Sequence, residues 1–249
     1  VHTYHGHVLD GDFNKYVSGI FKSIEKLLAN ITDLIIVSGH KVMNELLDAG
    51  ISRESKYRYV SPGIKFLRGI EKSKAREILN IGTNDLVIGW MGRLTAIKRP
   101  DRIAEMAKSF PDVTFIVAGE GELLEEIKEI TANNVQFLGW QNPEVFWSAC
   151  DIGILTSDKE GKPLALVEAE MIGVPLIAED VGAVSEVTID GETGFLTHNL
   201  DERLKFINLL ISDKVLRMEM SNKSKIFASK EFSVENFVNS HIRIYSELM

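Results

Sequence analysis

With 249 residues, 45% of them apolar, the chain is long enough for one large or two modest domains with a sizeable core. A formal net charge of −8 argues against a nucleic-acid-binding surface, which needs a basic field to neutralise phosphates. A single cysteine, Cys150, excludes an internal disulfide and makes a reducing, cytoplasmic setting the expectation; no apolar run approaches the ~20 residues that span a bilayer, and no stretch has the pattern of a signal peptide.

In chain order, Val1 to Gly6 alternates like a strand that runs into a loop, and such a strand should not open a domain, so the chain reads as a piece of something longer. Phe13, Tyr16, Val17, Ile20, Phe21, Ile24, Leu27 and Leu28 recur at helical spacing. Leu34 to Ser38 is a short buried strand, a helix follows to about Leu47, and Lys56 to Ile64 predicts a further strand that leads through Ser61-Pro62-Gly63 into a linker. The second part opens on the near-continuous apolar strand Leu86 to Met91, of the kind covered on both faces in a parallel sheet. Helix Pro100 to Phe110, strand Val113 to Ala118, helix Glu122 to Thr131, strand Val135 to Leu138 and helix Pro143 to Ala149 come next. After them come a strand in Asp151 to Thr156, a helix from Pro163 to Gly173, strand Pro175 to Ala178, a helix near Val184, the turn Asp190 to Gly194 and a helical tail from Asp201. Repeated β-α units of this kind predict an α/β fold, a doubly wound Rossmann-like parallel sheet preceded by part of another.

The chemistry concentrates between Ser157 and Gly173. Pro163 is well placed as the first residue of a helix, so the preceding loop opens onto uncapped N–H groups and the positive end of a helix dipole, worth about 0.3–1 kcal/mol per anionic charge. Glu160 lies in that loop and Glu168 lies on the helix, whose other positions are nearly all apolar; a carboxylate there is costly unless it meets a polar partner. The loop after the Leu86 strand, Gly92-Arg-Leu-Thr-Ala-Ile-Lys-Arg-Pro100, lets Arg93 and Lys98 converge on one anion from the same sheet edge. Ala118-Gly-Glu-Gly-Glu122 lacks the third glycine of a dinucleotide fingerprint, and close backbone packing is reason enough for its glycines. His2, His5 and His7, and the pair Asp10 and Asp12, form no compact ligand set, so no metal and no cofactor are expected. Cys150, between a helix and a strand, reads as a small buried hydrophobe.

Thr3-Tyr-His-Gly6, Ser61-Pro-Gly63, Gly92-Arg-Leu with Lys98, Gly119-Glu-Gly121, Phe137-Leu-Gly-Trp140, the Glu160-x7-Glu168 block and Asp190-Gly-Glu-Thr-Gly194 occur in an order that resembles the retaining glycosyltransferases of family 4, the glycosyl transferases group 1. The resemblance implies a GT-B fold. Residues 1–63 would be the remnant of the N-terminal, acceptor-side Rossmann-like domain, 64–228 the nucleotide-sugar donor domain, and 229–249 a helix crossing back to the first domain. It implies transfer from a nucleotide diphosphate sugar, by expectation a UDP-sugar, to a saccharide or lipid-linked acceptor in cell-surface polysaccharide or glycolipid synthesis. The residues carried over as donor contacts are Gly92, Arg93, Lys98, Gly161, Lys162, Pro163, Leu164, Ala165 and Glu168, with Glu160 and His5 beside the reacting sugar. Trp140 reads as a base-side residue or as rim packing, Gly182 as backbone geometry, and Glu186 as a site residue or, the reading we favour, a helix-start charge. A full-length protein would work in the cytoplasm with peripheral membrane association, and this incomplete piece should bind donor nucleotide with little transferase activity alone. A GT-B nucleotide-sugar epimerase and a non-catalytic nucleotide-sugar-binding module are the alternatives.

Overall fold

The computed structural model describes residues 1–4, 15–83 and 85–248. The candidates His5, His7, Asp10 and Asp12 lie outside the described residues. The chain divides into two compact units, one formed by Val1–Lys65 with Glu231–Met249, the other by Phe66–Lys230.

In the first unit, β1 (His2–Tyr4), β2 (Ile35–Val37) and β3 (Tyr57–Tyr59) form a parallel sheet in the order β1-β2-β3. Because side chains alternate along a strand, β2 feeds two small cores. Ile35 and Val37 pack with Tyr4, Val42, Leu46 and Tyr57, whereas Leu34 and Ile36 pack with Val60 and Ile244. Helices α1 (Lys15–Ile31) and α2 (His40–Asp48) follow the first two strands, and Ile244 belongs to α10 (Val234–Ser246). The strand predicted from Lys56 to Ile64 is shorter than expected. Pro62 has no N–H for a ladder, and a Cβ on Gly63 would lie 2.6 Å from that of Phe237, so the backbone here is shaped by α10 rather than by a neighbouring strand.

The second unit is a six-stranded, all-parallel sheet in the order β6-β5-β4-β7-β8-β9. Its strands are β4 (Val87–Met91), β5 (Thr114–Ala118), β6 (Val135–Phe137), β7 (Ile152–Leu155), β8 (Leu176–Glu179) and β9 (Gly194–Thr197). Helices α3 (Lys72–Ile78), α4 (Asp101–Ser109), α5 (Leu124–Ile130), α6 (Pro143–Ala149), α7 (Leu164–Ile172), α8 (Leu200–Ser212) and α9 (Lys214–Glu231) accompany them. The central strands β4, β5 and β7 are almost wholly buried, as the apolar runs required. Strand order reverses between β4 and β7, so the loops that leave their carboxyl ends diverge and open a crevice.

Three elements depart from expectation. Helix α3 was not anticipated, because Lys-Ser-Lys-Ala-Arg-Glu-Ile carries no apolar stripe. Its buried Arg76 docks it, donating to the carbonyls of Ala149 (3.1 Å) and Thr83 (2.7 Å) and pairing with Asp151 at 2.8 Å. The helix expected near Val184 is a single 3-10 turn, Val184–Glu186. Pro163 is the extended residue that precedes α7 rather than its first helical residue.

Candidate functional site

The crevice at the β4/β7 switch point is fastened by a chain of hydrogen bonds. The buried Trp90 indole donates to Thr156 Oγ1 at 2.9 Å, and that hydroxyl donates to the Lys98 carbonyl at 2.8 Å. The Asp158 amide donates to the Ile97 carbonyl at 2.9 Å, and Arg102 reaches both the Thr156 carbonyl (2.6 Å) and Asp158 (2.7 Å). Lys98 ends the 3-10 turn Ala96–Lys98, which closes on Arg99 in the left-handed region at φ +49°. The loops after β4 and β7 are therefore one fixed body, and it presents Lys98 to Glu160. Lys98 Nζ lies 2.6 Å from Glu160 Oε1, and the buried Ser157 hydroxyl donates to the same oxygen at 2.6 Å.

The loop after β8 closes this body from the side. Gly182 has φ +58°, and a Cβ there would sit 1.6 Å from the Glu160 carbonyl oxygen, so the backbones touch where only glycine fits. The Ala183 amide donates to the Gly161 carbonyl at 3.3 Å. Lys162 is drawn inward, its side chain 3% exposed, and pairs with Glu186 at 3.2 Å. Glu186 is thus the counter-charge of a buried lysine in a 3-10 turn, which replaces the reading as a helix-start charge.

Helix α7 begins at Leu164 after Pro163, and among the described residues no side chain caps its N-terminus. The amides of Leu164 and Ala165 belong to that first turn and face the loop that holds Glu160 and Lys162. One turn on, Glu168 is half-buried, and burial raises its pKa. Its carboxyl group has no hydrogen bond or ion pair among the described residues.

On the other side of β4, Gly119 and Gly121 let two loops meet. A Cβ on Gly119, at φ +133°, would lie 1.8 Å from the Gly92 carbonyl oxygen, and one on Gly121 would lie 2.3 Å from that of Leu94. The Leu94 amide donates to the Glu120 carbonyl, and the Gly119 amide to that of Gly139. These loops enclose a cavity of about 460 Å³ lined by Gly92, Arg93, Gly119, Glu120, Trp140 and Gln141 among others. Arg93 is exposed and makes no ion pair among the described residues, and Trp140 is 77% exposed at the rim.

Arg93, Lys98, Gly161, Lys162, Leu164, Ala165, Glu160 and Glu168 thus lie on neighbouring loops and one helix start at the carboxyl edge of the second unit's sheet. Sequence reasoning gave no role to Ser157 or Glu170. Glu170 is fully buried on α7, accepts from Thr193 Oγ1 at 2.7 Å, and has its pKa pushed well up by burial, against the lowering effect of that bond. The one sequence signal for it was a second acid, beside Glu168, within a helix whose other positions are apolar. Among the described residues no group of three or more His, Cys, Asp or Glu side chains could hold a metal ion, and no helix is long and apolar enough to cross a membrane.

Over 243 residues the chain is 30% identical to the UDP-Gal:alpha-D-GlcNAc-diphosphoundecaprenol alpha-1,3-galactosyltransferase of Escherichia coli, covering 89% of this chain and 62% of that protein. It is likewise 30% identical over 249 residues to an uncharacterized 41.2 kDa protein in the cps region of Klebsiella pneumoniae, covering 94% and 67%. The chain therefore spans about two thirds of the length of these curated relatives. The crystal structure of Anabaena Alr3699/HepE in complex with UDP-glucose superposes with a TM-score of 0.84 at 24% identity, over 98% of this chain and 71% of that one, and the α/β architecture is that of GT-B glycosyltransferases. Residues 71–227, which include every donor-side candidate above, match the family model of the glycosyl transferases group 1, and the chain belongs to that family.

Proposed function

We infer that the chain is the donor-binding part of a retaining glycosyltransferase of family 4 that moves a hexose from a UDP-sugar to a saccharide or lipid-linked acceptor in cell-surface polysaccharide or glycolipid synthesis. The observation that carries this reading is the meeting, at the switch point, of two basic side chains, an uncapped helix start and two carboxylates of different environment. A relative named as a UDP-Gal-dependent galactosyltransferase, another named as an O-antigen biosynthesis glycosyltransferase, and a neighbour that holds UDP-glucose support the substrate class.

In this reading the diphosphate lies between Arg93, Lys98 and the amides of Leu164 and Ala165. Hydrogen bonds to charged groups contribute about 1.5–3 kcal/mol each, so three or four reach the roughly 8 kcal/mol of a micromolar ligand. The same donors stabilise the charge that grows on the leaving diphosphate, with no metal required. The base enters the cavity beside Trp140, Glu168 accepts from the ribose hydroxyls, and Glu160 accepts from the sugar. His5 keeps the role that the resemblance gives it, contact with the donor sugar.

Calorimetry of the 249-residue chain against UDP-, GDP- and ADP-sugars tests the reading. We expect micromolar binding of a UDP-sugar. Absence of binding to all three classes sinks it, and product analysis with and without a saccharide acceptor separates transfer from epimerisation and reports the anomeric outcome.

A further inference from the structure

We propose that the second unit carries another ligand site, remote from the switch point, for a small anion with an apolar body such as an alkyl phosphate. A cavity of about 590 Å³ opens beside Cys150 and Val174, the residues that lead into β7 and β8. In a parallel sheet these amino ends lie on the edge opposite the Lys98 and Glu160 loops, so the two sites are separated by the sheet itself. The volume lies within the range of small-molecule pockets and is too small for a diacyl lipid. Its floor is apolar, formed by the fully buried Trp147 with Met171 and Ile172, and its rim carries Arg68, Lys72 and Lys225.

The charge pattern selects an anion. The chain is acidic overall, yet among the described residues no Asp or Glu lines this cavity. The acids near the wall are engaged: Glu144 accepts from the Arg68 amide at 2.8 Å, Asp151 is taken by Lys72 and Arg76, and Glu71, exposed between Ile70 and Lys72, accepts from the Ser73 hydroxyl. Two helices end at the cavity, and their terminal carbonyls would repel an anion, but these are largely capped. Gly173 and Val174 amides bond the Ala169 carbonyl, and Arg76 bonds that of Ala149. What remains are two cations without partners among the described residues, Arg68 and Lys225, the latter with its stem laid across Gly173. The Trp147 indole N–H is also buried without an acceptor among the described residues. Two uncommitted cations over an apolar floor complement a phosphate joined to a short chain or ring.

The test is calorimetry of the 249-residue chain with hexyl phosphate, with inorganic phosphate and UDP in parallel. We expect one saturable site for hexyl phosphate, weaker binding of inorganic phosphate, and no displacement by saturating UDP. The exposed double substitution Arg68→Gln with Lys225→Gln should weaken hexyl phosphate by about tenfold or more while leaving UDP binding intact. The proposal is overturned if hexyl phosphate does not saturate, if UDP displaces it, if inorganic phosphate binds as tightly, or if the double variant binds as the parent does.

Discussion

Lys98 and Glu160, 62 positions apart in sequence, form an ion pair of 2.6 Å in which one carboxylate oxygen also accepts from Ser157. The lysine expected to hold a diphosphate is therefore held by the glutamate expected to hold a sugar. Removal of the Glu160 charge frees Lys98 for phosphate while deleting a sugar acceptor. We predict that Glu160→Gln binds UDP about two- to tenfold more tightly and loses the extra affinity for UDP-sugar over UDP. Lys98→Ala should weaken UDP by about ten- to a hundredfold, the loss of one charge-assisted contact. Paired calorimetric titrations with UDP and UDP-sugar read both; weaker UDP binding by Glu160→Gln would contradict the competition.

Ser157 is fully buried and touches this pair through its hydroxyl. Its hydroxyl fixes which Glu160 oxygen faces Lys98, so Ser157→Ala should leave UDP affinity within about twofold and reduce discrimination between UDP and UDP-sugar. Stability should fall by about 1.5–3 kcal/mol, as expected for a lost hydrogen bond to a charged acceptor. Equal losses for UDP and UDP-sugar would show that the whole loop had moved instead.

The glycines separate contact from conformation. At Gly182 an added Cβ meets the Glu160 carbonyl oxygen at 1.6 Å, and at Gly119 it meets that of Gly92 at 1.8 Å, so both loops must part. Gly139 shares a positive φ of +64°, but a Cβ added there would meet nothing within 4 Å among the described residues. Gly182→Ala and Gly119→Ala should each cost about 2 kcal/mol or more and weaken UDP-sugar, whereas Gly139→Ala should cost about 1 kcal/mol of left-handed strain. Chemical denaturation of the three variants gives the ranking, and equal costs would remove the close-packing explanation.

The parallel sheet and the place of the site were legible because they follow from local pattern. Leu86 to Met91 and Asp151 to Thr156 are apolar runs too short for helices, and each is followed by a polar loop that begins with a turn or a hydroxyl residue. What escaped depends on partners distant in sequence. Helix α3 has no apolar stripe because buried Arg76 takes the place of one, and the two acceptors that dock it onto the sheet, Asp151 and Ala149, lie more than 70 residues away. Glu186 looked like a helix-start charge because nothing local shows that Lys162 is buried against it. Ser157 gained its role only when the loop folded back on Glu160.

Glu170 gives a stability prediction with a definite sign. It is fully buried on α7, its one neighbour in hydrogen-bond reach is Thr193 Oγ1, and no cation pairs with it among the described residues. Burial raises its pKa well above the ordinary glutamate value of 4.5, so the folded chain holds a proton that the unfolded chain releases. Stability then falls as pH rises from about 4.5 through the folded-state pKa, because the unfolded state binds fewer protons across that window. Glutamine keeps the oxygen that accepts from Thr193 and cannot ionise. Glu170→Gln should melt with the parent at pH 4.5 and above it at pH 8, the gap widening with pH. Glu168, also raised by burial, contributes equally to both proteins and cancels in the comparison. A parent that gains stability over Glu170→Gln as pH rises would mean that the carboxylate is ionised and paired in the folded chain.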